Sequence, residues 1–179
     1  MDIKLKIENK FYILGKAIVF LLLFMLFHYL YDWFPNIIIA IFSGTNESIY
    51  QHMKIGFYVY IFLSIIEYVI FRNQIEDKEK FLFSRLLSTF LIPYMSMFFY
   101  LIGSMFGDPI TILALEAIYS ILMCFISVFP VLILEKWYEK FEYNLLVKIV
   151  IIILIIISIA EFGVFTFKSP WYDIFEIAY

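Results

Sequence analysis

Residues 145–167 read LLVKIVIIILIIISIAEFGVFTF, twenty-three positions with one lysine near the start and one glutamate late in the run. As an α-helix rising about 1.5 Å per residue, the stretch extends about 34 Å and can cross a hydrocarbon core of about 30 Å. It shows no alternation of polar and apolar residues with period 2, which a membrane barrel strand requires. Four other stretches have the same character: Phe11–Tyr31, Ser48–Phe71, Phe81–Gly103 and Pro109–Leu134. The five together hold 117 of the 179 residues. The expected fold class is all-α: a polytopic membrane protein, one integral membrane domain over residues 1–179, built as a bundle of five transmembrane helices.

Composition agrees with that reading. Apolar residues make up 64% of the chain and charged residues 16%, with a mean hydropathy of +0.94. A soluble domain is about 45–50% apolar and about 25% charged, so this chain lacks the polar surface that water demands. A formal net charge of −3 excludes a basic nucleic-acid binder. The single cysteine excludes an intrachain disulfide framework and a Cys-rich zinc module. The implied partner is the lipid bilayer, and the expected location is the cell membrane, crossed several times. The first span follows several lysines but lacks a small-x-small cleavage site and exceeds a signal peptide's apolar core, so it reads as a retained helix.

Lys and Arg are distributed unequally between the two ends of the spans. Eleven of the 13 basic residues fall on the side that holds Lys4, Lys10, Arg72, Arg85, Lys136 and Lys148, against Lys54 and Lys168 on the other. The positive-inside rule then predicts a cytoplasmic N-terminus and an extracytoplasmic C-terminus. In the first outer connection, Ile37–Phe42 is too short to span. Bounded by Pro35-Asn36 and Ser43-Gly44, it is expected to be a short interfacial or re-entrant segment. Pro93 and Pro130 lie within spans, where each either kinks its helix or is simply tolerated.

A charge inside a span costs roughly 2.5–3.5 kcal/mol on insertion scales, so each one requires a reason. His28, His52, Glu116 and Glu161 lie on four different spans, about 6–10 Å beneath the outer end by helical rise. Two imidazoles and two carboxylates are the inventory of a zinc, manganese or iron site, which makes these four the candidate metal ligands. Asp32 follows His28 by one turn and can orient its imidazole. Asn46 and Glu47 stand just above His52, completing the candidate ligand-binding set. The competing explanations are a hydrogen-bonded polar cluster that ties helices together without a ligand, and unrelated positions that merely share a depth. Ser48 and Gln51 have a local role as a capping box for the second span, which leaves His52 unexplained. Glu67 lies about 22 Å down the same helix from His52 and is expected to pair with an arginine, Arg72 or Arg85. Glu116, Ser120, Cys124 and Ser127 share one helical face, with Cys124 expected to be an inert packing residue.

The segments His28-Tyr29-Leu30-Tyr31-Asp32-Trp33 and Asn46-Glu47-Ser48-Ile49-Tyr50-Gln51-His52-Met53-Lys54, with Glu67 following, carry a resemblance. So does Phe165-Thr166-Phe167-Lys168-Ser169-Pro170 near the end. The chain resembles an uncharacterised family of small prokaryotic multi-pass membrane proteins. That family's pattern is H-x-x-Y-[DE]-W, then N-E-S-[VI]-[WY]-E-H-[LM]-K, then F-T-F-x-P-P. Gln51 stands where the family has Glu, Ser169 replaces the first Pro of the last element, and the tail after Asp173 lacks the family's usual ending. The resemblance implies a class without an activity, and it nominates His28, Asp32, Asn46, Glu47, His52 and Glu67. Three functions remain open at this point. The first is an outward-facing cup for a metal ion or other cation, in a transport or sensing component. The second is a membrane-embedded metal-dependent hydrolase acting on a lipid or lipid-linked substrate. The third is a structural or immunity-type protein without a ligand.

Overall fold

A computed structural model describes residues 10–107 and 110–176. Among them are six α-helices and no strand: α1 (Lys10–Trp33), α2 (Ile37–Phe42), α3 (Ile49–Phe71), α4 (Lys78–Ile102), α5 (Leu113–Tyr138) and α6 (Leu145–Phe167). All except α2 are long and apolar enough to cross a membrane. Lys4, Lys6 and Pro109, the expected start of the fourth span, lie outside the described residues.

The helix starts follow from local chemistry. Asn36 accepts from the amides of Ile38 and Ile39 and caps α2. Ser48 accepts from Gln51 at 3.3 Å and caps α3, as its place before the run predicts. Asp77 accepts from Glu79 and Lys80, both at 2.9 Å, and begins α4 three residues earlier than the apolar run alone implies. Asn144 accepts from Val147 at 2.9 Å and starts α6. Both Pro93 and Pro130 lie inside continuous helices.

Helix α3 is the axis of the bundle. Ile55, Phe57, Val59 and Tyr60 are completely buried. Ile55, Val59 and Tyr60 pack with Phe20 and Phe24 of α1, Ile92 of α4 and Val128 of α5, and Phe57 packs with Tyr58 and with Phe162 of α6. Apolar association gains little where the solvent is itself hydrocarbon, so close packing must supply the contact energy. Gly56 is one such contact: a Cβ there would stand 3.2 Å from Ile92 Cγ2, so the missing side chain lets α3 and α4 approach. Helix α6 lies at the periphery, against α4 and α2. It reaches the core through Phe162, whose ring is 5.4 Å from Tyr50 and 5.2 Å from Phe57.

Candidate functional site

The short connections leave the bundle with two chemically distinct ends. One carries both histidines and the α2 segment. The other carries the interhelical turns 72–77 and 139–144 and most of the basic residues.

At the histidine end, α1 supplies His28 from its penultimate turn and α3 supplies His52 from its first. Their ring centroids are 5.1 Å apart. Phe24, one turn below His28, stacks against the His52 ring at 6.3 Å and forms an apolar floor. The connection 43–48 then brings Glu47 over both rings. His28 Nε2 lies 3.5 Å from Glu47 Oε1, and His52 Nε2 lies 3.6 Å from Glu47 Oε2. One donor atom from each of the three residues falls within 4.8 Å of the other two. The Glu47 side chain is 64% exposed, whereas the imidazoles are largely covered, so the cluster opens outward through its carboxylate.

Three local contacts hold this arrangement. His52 Nδ1 is 2.8 Å from the Ser48 carbonyl. A carbonyl only accepts, so Nδ1 carries the hydrogen, and in the neutral ring Nε2 presents its lone pair to the cluster. Asn46 Oδ1 accepts from the Ser48 amide at 3.0 Å and turns the chain just before α3. The Ser43 hydroxyl donates to the Phe27 carbonyl and accepts from the Tyr31 amide at 3.0 Å. Those two backbone groups would pair with each other in an undisturbed turn of α1. Ser43 therefore anchors the connection to the very turn that carries His28. His28 Nδ1 is buried and has no hydrogen-bond partner.

The four expected metal ligands do not converge. His28 and His52 meet, and Glu47 joins them. Glu116 instead accepts from Tyr100 at 3.4 Å. Glu161 lies within electrostatic reach of the Tyr50 and Tyr94 hydroxyls. Equal depth had placed the four at one level, but α5 begins at Leu113, which puts Glu116 in its first turn, and depth leaves the azimuth of each helix open. Asp32 is exposed one turn beyond His28, and Asn46 serves the turn.

The basic end holds a second cluster, of which the sequence reading identified only the Glu67–arginine pair. Arg85 pairs with Glu67 through Nη2, and its Nε lies 3.1 Å from Glu67 Oε2. Lys16 adds a bridge to Glu67 at 2.7 Å and one to Glu135 at 2.5 Å. Tyr60 donates to Glu135 at 2.5 Å and Tyr12 donates to Glu67, while Glu139 binds Arg85 from the rim. Lys16, Glu67, Arg85 and Glu135 are all at most 5% exposed as side chains. Two cations thus face two carboxylates at the junction of α1, α3, α4 and α5. A usable signal was Lys16, a cation six residues inside its helix that the topology count absorbed as a flanking charge. Between the two clusters α1 and α3 present the apolar Phe24, Ile55, Val59 and Leu63, and the buried polar groups there are uncharged, as in the Ser96–Ser127 hydroxyl pair at 3.2 Å.

A family model described as a family of unknown function (DUF6512) matches residues 1–178. No curated protein and no solved structure matches the chain.

Proposed function

Since the chain belongs to that family of unknown function, its chemistry has to be argued from the site, and we propose that His28, Glu47 and His52 bind a divalent metal ion. The observation that carries this reading is the spacing of the donor atoms. Two ligands held at about 2.1 Å by a tetrahedral ion stand about 3.4 Å apart. Each Nε2 lies 3.5 or 3.6 Å from its own oxygen of Glu47, and one donor atom from each of the three residues lies within 4.8 Å of the other two. Two histidines and one carboxylate leave further coordination positions open, a pattern shared by catalytic zinc sites and non-haem iron sites. The apolar core beneath the cluster supports a site that binds and senses, or acts, at one face of the bundle in preference to a conducting path. On the positive-inside count the histidine end faces the extracytoplasmic side of the cell membrane.

The hydrolase reading rests on the same open positions. A metal held there lowers the pKa of bound water towards about 7. A general base is harder to name among the described residues, because Glu116 and Glu161 lie elsewhere. The binding role is therefore the stronger of the two.

Elemental analysis of the purified full chain, after exposure to zinc, manganese or ferrous iron and removal of excess ion, tests the proposal. The expected result is about one ion per chain. His28→Ala and His52→Ala should each abolish retention, and Glu47→Gln should weaken it by about 10-fold or more, in the range that loss of a metal-orienting group produces. Retention of no ion, or retention unchanged in all three variants, would overturn it.

A further inference from the structure

Glu161 stands in α6 about 9 Å inside the helix end at Phe167. A carboxylate at such a position needs a partner, yet among the described residues no hydrogen bond or ion pair holds it. The neighbouring polar groups are in the same condition. Tyr50 is 1% exposed and Tyr58 is 5% exposed, and both hydroxyls are buried without a hydrogen-bond partner. They lie two turns apart on α3, against the residue that follows Glu161: the Phe162 ring is 5.4 Å from Tyr50 and 6.4 Å from Tyr58. Phe165, one turn beyond Glu161, and Phe175 close over Tyr50 at 6.0 and 4.2 Å. Tyr94 of α4 completes the surroundings from the exposed side.

The set consists of one unpaired carboxylate, phenol oxygens able to accept, and several aromatic faces. Each component favours the same kind of occupant. A carboxylate binds a cation, a hydroxyl oxygen accepts from an N–H, and aromatic faces attract ammonium groups. An inorganic ion can also be ligated by these oxygens, but it donates no hydrogen to them, whereas an ammonium group carries the charge and the N–H donors together. We propose that Glu161, Tyr50 and the aromatic residues around them form a second site, separate from the histidine cluster, for a primary ammonium group. The occupant is the amine headgroup of a membrane lipid. Tyr94 is 43% exposed and α6 packs against α4 at the edge of the bundle, so the headgroup reaches Glu161 from the bilayer and its tails remain beside Tyr94.

The test uses the full chain in nanodiscs of mixed lipid, with bound lipid read by native mass spectrometry. Phosphatidylethanolamine, phosphatidylcholine and phosphatidylglycerol of identical acyl chains are the probes. The wild type should retain phosphatidylethanolamine about 10-fold over the other two, the scale of a charge-assisted hydrogen bond. Glu161→Gln should abolish the preference, and Tyr50→Phe should reduce it while leaving the helices intact. Displacement of the lipid by free ethanolamine would support the same chemistry with a soluble source. Equal retention of all three lipids, or a preference that survives Glu161→Gln, would overturn the proposal. The outcome is independent of metal retention at His28 and His52.

Discussion

Lys16 is bound to two carboxylates that lie 51 and 119 positions away in the chain. Its burial explains why a sequence reading counts it as a topology marker: nothing local distinguishes a flanking lysine from one that turns inward. Glu67 was legible, because a carboxylate one turn from the end of an apolar run needs an arginine, and Arg85 meets it. Removing one member of a buried ion pair strands the other and costs about 3–5 kcal/mol. Lys16→Met should therefore lower the unfolding midpoint in detergent steeply, and a change below about 1 kcal/mol would show that the pairs carry little of the fold. Tyr143 gives a separate reading outside the spans. It donates to the Tyr138 carbonyl at 2.8 Å, and burial pushes its hydroxyl up to about 12. A proton held more tightly in the folded chain stabilises it below the ordinary tyrosine value, about 10. That contribution is lost as pH rises from about 10 to about 12. Tyr143→Phe should flatten alkaline unfolding in this window, as measured by circular dichroism.

At the scale of elements, hydropathy located all five long helices to within a few residues, because length and apolarity are sufficient to define a span. The six-residue α2 was legible as a short apolar segment between Pro35-Asn36 and Ser43-Gly44, and the helix occupies those six residues. Its role depends on contacts that a pattern does not encode: Lys54 donates to the Ala40 carbonyl at 2.7 Å and to Thr166 at 2.9 Å, and Ser43 bridges to α1. Ser43→Ala should remove the support of the His28 turn. The expected results are faster hydrogen exchange at the Tyr31 amide and weaker metal retention, while Ser43→Thr preserves both. Unchanged exchange at Tyr31 would show that the hydroxyl bridge is dispensable. A similar joint connects α4 and α5. Tyr119 accepts from the Gly103 amide at 2.9 Å and donates to the Tyr100 carbonyl at 2.8 Å, and a Cβ on Gly103 would lie 2.2 Å from that hydroxyl. Gly103→Ala should expel the Tyr119 hydroxyl and cost about 1–3 kcal/mol through the unpaired groups it leaves. A variant as stable as wild type in the same melt would contradict this.

For the whole molecule, the two ends differ in chemistry as strongly as the charge count implies, with a locked ionic junction at one and an open histidine cluster at the other. The orientation expected from the basic residues is tested by thiol labelling in a Cys124→Ser background. A cysteine replacing Glu76 should react only from the cytoplasmic side, and one replacing Ser169 only from outside; the reverse pattern would invert the molecule. The site itself was half legible. Depth and chemistry singled out both histidines, whereas Glu47 emerged as their partner through the resemblance and its position above His52. Glu116 lies in the first turn of α5, which begins at Leu113, so its depth counted from Pro109 was too large, and Glu161 stands on the peripheral α6, a placement that only packing sets. X-ray absorption at the zinc edge of the zinc-loaded full chain tests the central claim most directly. The account predicts a spectrum with two imidazoles and light oxygen ligands at about 2.0–2.2 Å, and no bound zinc in His52→Ala. A chain that retains no zinc, or a spectrum without paired imidazole scattering, would contradict it.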